Sequence, residues 1–296
     1  MTARIDRSWL EAHPLPSLDD AQDKDGRGRV LVVGGAEFVP GALRLTGEAA
    51  LRAGAGKLQL ATVASTATAL GVLVPEAAMI ALPADENGEI ALEAADILVE
   101  RIRRCDTLVL GPGMTAGERT DVLVARLLAE PDAARSIVLD AAALTSARDL
   151  AAQVARHDGR VVLTPHHGEM ARLAGLDIGQ VKADPEGVAR EMARRYRCVI
   201  LLKGGSTVLA TPEGGLHRFE AGCIGLATSG SGDVLAGILG GLCARGVPPA
   251  TAAGWACWLH GSAGRILSER IGTVGFLARD LLELIPQLLH GKIRTP

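Results

Sequence analysis

The chain has 296 residues, enough for one large α/β domain or two small ones. Apolar residues at 48% argue against disorder, and a net charge of −3 with 2% aromatics leaves neither a basic stripe nor stacking platforms for nucleic acid. Membrane spans are not expected, since no stretch of 18 apolar residues occurs. Nor are disulfides or a zinc site, since the five cysteines (105, 198, 223, 243, 257) form no CxxC pair; a reducing cytoplasm is the natural setting.

From Met1 to Asp20 the chain is charged and lacks the apolar core of a signal peptide. Short apolar runs then alternate with helical patterns. Arg29–Gly34, Lys57–Thr62, Ala77–Leu82, Thr107–Leu110, Ser136–Asp140, Arg160–Thr164 and Cys198–Leu202 are predicted strands, mostly uninterrupted in the manner of strands buried on both faces. Gly41–Ala53, Ala91–Arg104, Ala116–Leu128 and Pro185–Arg195 are predicted helices. Ala53-Gly54-Ala55-Gly56 marks a helix end. Thr207–Phe219 flanks Pro212-Glu213-Gly214-Gly215 with β-rich residues and predicts a hairpin. After Gly222 the pattern is helical: Asp233–Ala244, Pro249–Leu267 and Ala278–Leu289. The alternation predicts an α/β fold, a mainly parallel central sheet covered by helices on both faces, in one domain over 1–296. Its binding site belongs at the carboxyl ends of the strands.

Glycine is in excess, 36 residues, and close backbone approach to phosphates is one use for it. Thr228-Ser-Gly-Ser-Gly-Asp233 leads into an apolar helix, placing Gly230, Ser231 and Gly232 at the positive end of a helix dipole. Asp233 is then a base beside a bound anion, or merely a helix cap. Lys203-Gly204-Gly205-Ser206-Thr207 ends a strand with a cation, two glycines and two hydroxyls, a phosphate-binding set or a snorkelling lysine before a turn. In Thr164-Pro-His-His-Gly-Glu169, His166 and Glu169 either polarise a substrate or start a helix. No third ligand accompanies the histidines, so no protein-held metal is expected. Gly34-Gly35 and Pro40-Gly41-Ala42 make a glycine-rich loop open to a ligand.

Two decoys fail. Gly111-Pro-Gly113-Met-Thr-Ala116 fits the dinucleotide fingerprint GxGxxA, but its Pro lacks an N–H and Asp140 lies well beyond the usual spacing of about twenty residues. Gly56-Lys57 lacks the upstream glycine of a phosphate-binding Walker loop.

In their order, GRVLVVGG (28–35), PGALRLTGEAALRAGAG (40–56), LGPGM (110–114), LTPHHGEMARLAG (163–175), LLKGGSTVLATPEGG (201–215), GLATSGSGDVLAGILGGLCARG (225–246) and LHGSAG (259–264) resemble the ADP/ATP-dependent NAD(P)H-hydrate dehydratases of the stand-alone bacterial type, which have a ribokinase-like fold. The chain departs from the family pattern at His167 (usually Pro), Ala142 (Asp or Gly), Cys223 (Asn) and Arg265 (Asp). The resemblance implies ADP as phosphoryl donor, held by Lys203, Gly204, Gly205, Ser206, Thr207, Gly230, Ser231 and Gly232, with Mg²⁺ on the phosphates. It implies a hydrated nicotinamide cofactor held by Ala42, Gly113, His166 and Asp233, with Asp233 catalytic. It also implies a cytoplasmic homotetramer. The alternatives are an alcohol kinase of the same fold, which would stop at a phosphate ester, and a non-catalytic adenine-nucleotide-binding protein.

Overall fold

The buried apolar runs become ten strands: β1 (Ala3–Arg4), β2 (Arg29–Val33), β3 (Lys57–Val63), β4 (Ala77–Leu82), β5 (Thr107–Leu110), β6 (Ser136–Leu139), β7 (Val161–Leu163), β8 (Val199–Leu202), β9 (Ser206–Ala210) and β10 (Leu216–Glu220). The computed structural model describes residues 2–17, 23–220 and 223–293; Asp19, Asp20 and Gly222 of the sequence reading lie outside the described residues.

One sheet runs β1-β10-β9-β8-β7-β6-β5-β2-β3-β4. Strands β2 to β8 are mutually parallel, as expected of strands linked by helical crossovers. The expected hairpin is β9–β10, paired antiparallel from Leu216 opposite Ala210 to Glu220 opposite Ser206. Along the parallel strands the pleat sends alternate residues to two cores. Val30, Val32, Leu58, Leu60, Val109 and Val138 face the layer that holds the helices Gly41–Arg52, Ser231–Ala244 and Pro249–Arg270. Leu31, Val33, Ala61, Leu108, Leu110 and Ile137 face the opposite layer, which includes Ala94–Ile102, Glu118–Leu127 and Pro185–Tyr196.

The C-terminal segment differs from the expectation of one helix over Ala278–Leu289. It splits into a 3₁₀ turn, Ala278–Leu281, and a short helix, Leu284–Leu289. Pro286 explains the break: without an N–H it sits best in the first turn of a helix, so the helix restarts just before it. The glycine excess has a second use beyond phosphate. A Cβ at Gly237 would lie 2.2 Å from Thr46 O and one at Gly241 2.4 Å from Ala50 O. These glycines let Ser231–Ala244 lie backbone to backbone on Gly41–Arg52.

The sheet order reverses between β5 and β2: β3 and β4 lie on one side of β2, and β5 to β8 run off on the other. Crevices at such reversals, outside the carboxyl ends of the strands, are where open α/β sheets bind ligands.

Candidate active site

Adjacent parallel strands end at the same edge, and their carboxyl ends deliver most of the candidate residues. Strand β6 delivers Asp140, β7 delivers Thr164 to Glu169, and β8 delivers Lys203. Beyond the strands, β7 and β8 stay in register: His166 bridges to Lys203, and Lys203 N donates to Pro165 O at 2.7 Å.

Lys203 Nζ donates to Asp140 Oδ1 at 2.9 Å, and Thr164 Oγ1 donates to the same oxygen at 2.6 Å. The Asp140 side chain is 5% exposed and that of Lys203 21%. Burial alone would lower the Lys203 pKa, but Asp140, Glu169 and Asp233 together hold it above its ordinary value. The ammonium is therefore a fixed cation at the strand edge. Ala141, next to Asp140, has φ +48, a left-handed conformation that costs a non-glycine residue energy and is common where a site fixes a neighbouring group.

Asp233 sits in the first turn of Ser231–Ala244, whose N-cap is Gly230 at φ +86. No side-chain hydrogen bond caps that helix, so the bland capping role for Asp233 is not what the geometry displays. Burial and the nearby Asp140 push the Asp233 carboxyl up to about 7, against an opposing pull from Lys203. A base poised near neutrality is the most effective kind at that pH. Gly232, which precedes Asp233, faces the Lys203–Asp140 pair: a Cβ there would come 3.5 Å from Lys203 Nζ and 3.9 Å from Asp140 Oδ2.

A cavity of about 830 Å³ opens beside this group. Lys203, Gly204, Gly205, Thr207, Ser231 and Gly232, six of the eight predicted nucleotide residues, line it; Asp233 does not. Phe219, Leu226, Leu235 and Cys257 make its apolar side. Ser206 and Gly230 are not in that lining. Ser206 opens β9, where its hydroxyl accepts from Arg218 Nε at 2.6 Å. Gly230 is pressed against Leu45, whose Cδ1 would lie 2.5 Å from an added Cβ.

His166 is the N-cap of His167–Ala174 in a capping box: its Nδ1 accepts from the N–H of Gly168 (3.0 Å) and Glu169 (3.2 Å), while Glu169 Oε2 accepts from His166 N (2.8 Å). The helix-start reading thus describes Glu169 and part of His166, whose ring still lines the cavity. Since Nδ1 accepts, the proton of the neutral ring is on Nε2, and the side chain is 58% exposed. Ala42 and Gly113 come together at the β2/β5 reversal, where a Cβ on Gly113 (φ +70) would lie 2.9 Å from Ala42 Cβ. The GxGxxA decoy fails in structure as well: the helix after it begins only at Glu118, so its glycines do not open a helix onto a phosphate.

Sequence reasoning assigned no role to Asp140, Thr164 or His260. Thr164 and His260 stand in matched segments and Asp140 ends a predicted strand, but Asp140 pairs with Lys203 63 residues away and His260 with Ser231 29 residues away. Among the departures, Cys223 lines the cavity with Sγ 2.9 Å from Ser268 Oγ. His167 lines it beside Gly204, and its pKa is lowered by burial and by Lys182 and His166. The Arg265 guanidinium lies 5.6 Å over the Phe219 ring. Ala142 is buried in the helix Ala141–Ser146.

A family model described as NAD(P)H-hydrate dehydratase matches residues 30–287. The chain belongs to this family. It is 47% identical over 285 residues to the ADP-dependent (S)-NAD(P)H-hydrate dehydratase of Xanthomonas campestris, covering 95% of this chain and 93% of that one. It is 39% identical to the bifunctional NAD(P)H-hydrate repair enzyme of Moorella thermoacetica, of whose length it spans about half, 53%. Among solved structures, the ADP/ATP-dependent NAD(P)H-hydrate dehydratase of Bacillus subtilis, co-crystallised with ATP and Mg²⁺, superposes with a TM-score of 0.82 at 28% identity, covering 98% of each chain. The fold is ribokinase-like. The motif resemblance and the fold class are thus borne out. Among the described residues no helix is long and apolar enough to cross a membrane.

Proposed function

We propose that this protein dehydrates the (S)-hydrates of NADH and NADPH at the expense of ADP, as a single domain over 1–296. The observation that carries the reading is a cavity of about 830 Å³ lined by the Lys203 cation and the helix N-terminus at Ser231–Gly232, with a carboxyl group held near pKa 7 at Asp233, the next residue of that helix, within electrostatic reach of Lys203 and Asp140. The single continuous sheet supports the domain assignment.

Hydroxide is a poor leaving group, so the ring hydroxyl must first be activated. Asp233 accepts its proton as the oxygen attacks the β-phosphorus of ADP. The bond from that phosphorus to the bridging oxygen breaks, and AMP leaves. The ring nitrogen then pushes out phosphate, and loss of a proton from the adjacent carbon restores the dihydronicotinamide. Phosphoryl transfer depends on positioning and charge stabilisation. Lys203 neutralises phosphate charge, and the N–H groups at Ser231 and Gly232 face charge that develops during transfer. Gly204, Gly205 and Thr207 hold the nucleotide along the cavity wall. Ser206 and Gly230 support that wall from behind. Ala42, Gly113 and His166 would flank the hydrated ring.

Among the described residues no cluster of three His, Cys, Asp or Glu could hold a metal on its own. Asp140 and Asp233 at the phosphate end fit an ion held chiefly by phosphate oxygens and water, the usual mode of Mg²⁺. When bound, Mg²⁺ would neutralise charge on the phosphates. A homotetramer in the cytoplasm completes the reading; the free cysteines, four of them buried, suit a reducing compartment.

The test is to incubate the protein with enzymatically prepared hydrates and ADP or ATP. Recovery of reduced-nicotinamide absorbance together with AMP and phosphate is expected with ADP. A stable phosphate ester would instead establish an alcohol kinase. Nucleotide binding without turnover of either hydrate would leave a nucleotide-binding protein.

A further inference from the structure

His260 has no part in the chemistry above, yet it lines the same cavity. It stands on the long helix Pro249–Arg270, and its ring lines the cavity. Its Nε2 is 3.0 Å from Ser231 O and 3.0 Å from Ser231 Oγ. A carbonyl oxygen can only accept, so Nε2 carries the ring proton and donates it. That assignment fixes the neighbouring hydroxyl. A protonated Nε2 cannot accept from Ser231 O–H, so the hydroxyl hydrogen is turned away from the imidazole. Ser231 is 4% exposed and lines the cavity, and its oxygen has no other side-chain partner among the described residues.

We infer that His260 is a positioning residue that holds the first turn of Ser231–Ala244 and orients the Ser231 hydroxyl to donate to a phosphate oxygen of the nucleotide. The inference rests on the proposed function, in which Ser231 meets phosphate. Its chemistry requires a proton on Nε2, which the neutral tautomer at this geometry carries. Burial, with a contribution from Lys203, lowers the His260 pKa to about 4, while the Ser231 carbonyl opposes the shift. The groups acting on the ring are the Ser231 backbone and hydroxyl from one helix and the Lys203 ammonium from β8. The ring is therefore neutral throughout the pH range in which Asp233 titrates, and positioning does not change as the base ionises.

The experiment is a double-mutant cycle on the full chain, measuring kcat with ADP and calorimetric affinity for ADP and for adenosine. Ser231→Ala and His260→Leu are each expected to weaken ADP binding by about tenfold, the scale of one hydrogen bond to a charged group. Adenosine, which has no phosphate, should bind both variants as it binds the wild type. The double variant should be little worse than either single one, because both remove the same contact. His260→Gln, which retains an N–H donor, should recover part of the loss, and the His260→Leu deficit in kcat should be constant from pH 5 to 8. Losses that multiply to about a hundredfold in the double variant would overturn the inference. So would equal weakening of adenosine, which would mean that the pocket had collapsed. If His260→Leu does not fold, His260→Met, which also lacks the N–H donor, takes its place in the cycle: unchanged ADP affinity in that variant, or full additivity with Ser231→Ala, overturns the inference. If Ser231→Ala binds ADP normally, the phosphate assignment of Ser231 falls, and this inference with it. If Ser231→Ala is impaired while the His260 variants are normal, that assignment stands and only the role of His260 falls.

Discussion

Where β7 and β8 end, the cleft is an open cavity of about 830 Å³, lined by charged, polar and apolar side chains and by glycines. Where β2 and β5 end, the loops close on each other instead. Gly35 N donates to Pro112 O at 2.8 Å, and a Cβ on Gly34 would lie 2.1 Å from that same oxygen. The first region has charge: the Lys203–Asp140 pair. The second presents mainly backbone and the exposed apolar side chains of Phe38 and Val39, and the Glu37 carboxylate beside them accepts from Ser65. The contrast matches the two ligands. A nucleoside diphosphate needs room and fixed charge, whereas a partly saturated ring needs close, shaped contact. Asp233 stands at the seam, on the helix whose glycines pack against Gly41–Arg52.

The largest effect should come from the seam. Asp233→Asn retains size and polarity but cannot take the hydroxyl proton. Loss of a general base typically costs 10²–10⁴-fold, so kcat should fall by at least about a hundredfold while ADP binding and the melting temperature are kept. In the wild type, kcat/KM should rise with pH through an acidic limb near 7. Normal turnover by the variant would move the base to His166 or Glu169.

Next in size is the charged half. Lys203→Ala should weaken ADP by about 1.5–3 kcal/mol, or roughly ten- to a hundredfold. It should also lower the melting temperature, because Asp140 is left buried with only Thr164 as partner. A lower melting temperature with unchanged ADP affinity would make the pair purely structural and remove the charge contrast between the halves.

The close-fitting half is probed at Gly113. Its φ of +70 and the 2.9 Å approach to both Ala42 Cβ and Val39 O mean that even Gly113→Ala shifts the loop, at a cost of about 1 kcal/mol in stability. KM for the hydrate should rise several-fold with ADP affinity unchanged. Loss of ADP affinity instead would reverse the assignment of the two halves.

How much of this was legible beforehand varies with the range of the interaction. Strands β4 and β5 end where their apolar runs end. The hairpin was marked by its glycines, and the SGSGD turn by its small residues. Strand β1, with two residues, has no periodicity to read, and it pairs with β10 more than two hundred positions away. The helix Ala64–Leu73 was missed because its Ala, Thr and Leu face no consistent way. The Lys203–Asp140 pair spans 63 residues and exists only because the sheet order sets β6 and β8 on either side of β7. The same holds for His260, whose partner comes from another helix 29 residues earlier. Motifs that work within one loop can be read from sequence; pairs made by topology cannot.

The smallest expected effect is thermodynamic and bears on the seam alone. Folding raises the Asp233 pKa from its ordinary value of about 3.9 to about 7, chiefly by burial and then by Asp140. A raised carboxyl pKa means that the folded state favours the protonated form. The stabilising contribution is therefore full below about pH 4 and is lost as pH rises through about 7. Asn does not titrate, so Asp233→Asn escapes that loss. The melting temperature of the variant relative to the wild type should increase from pH 5 to pH 8. Partial exposure to solvent limits the gain to about 1 kcal/mol, or roughly 2 °C for a chain of this size. Bound ADP should enlarge the difference, since phosphate charge disfavours the Asp233 carboxylate further. If the difference is flat with pH, Asp233 ionises in the fold as it does in the unfolded chain, and a base poised near neutrality is lost from the mechanism. If it has the opposite slope, the pull of Lys203 outweighs burial, and Asp233 belongs to the charged half of the cleft rather than to the seam.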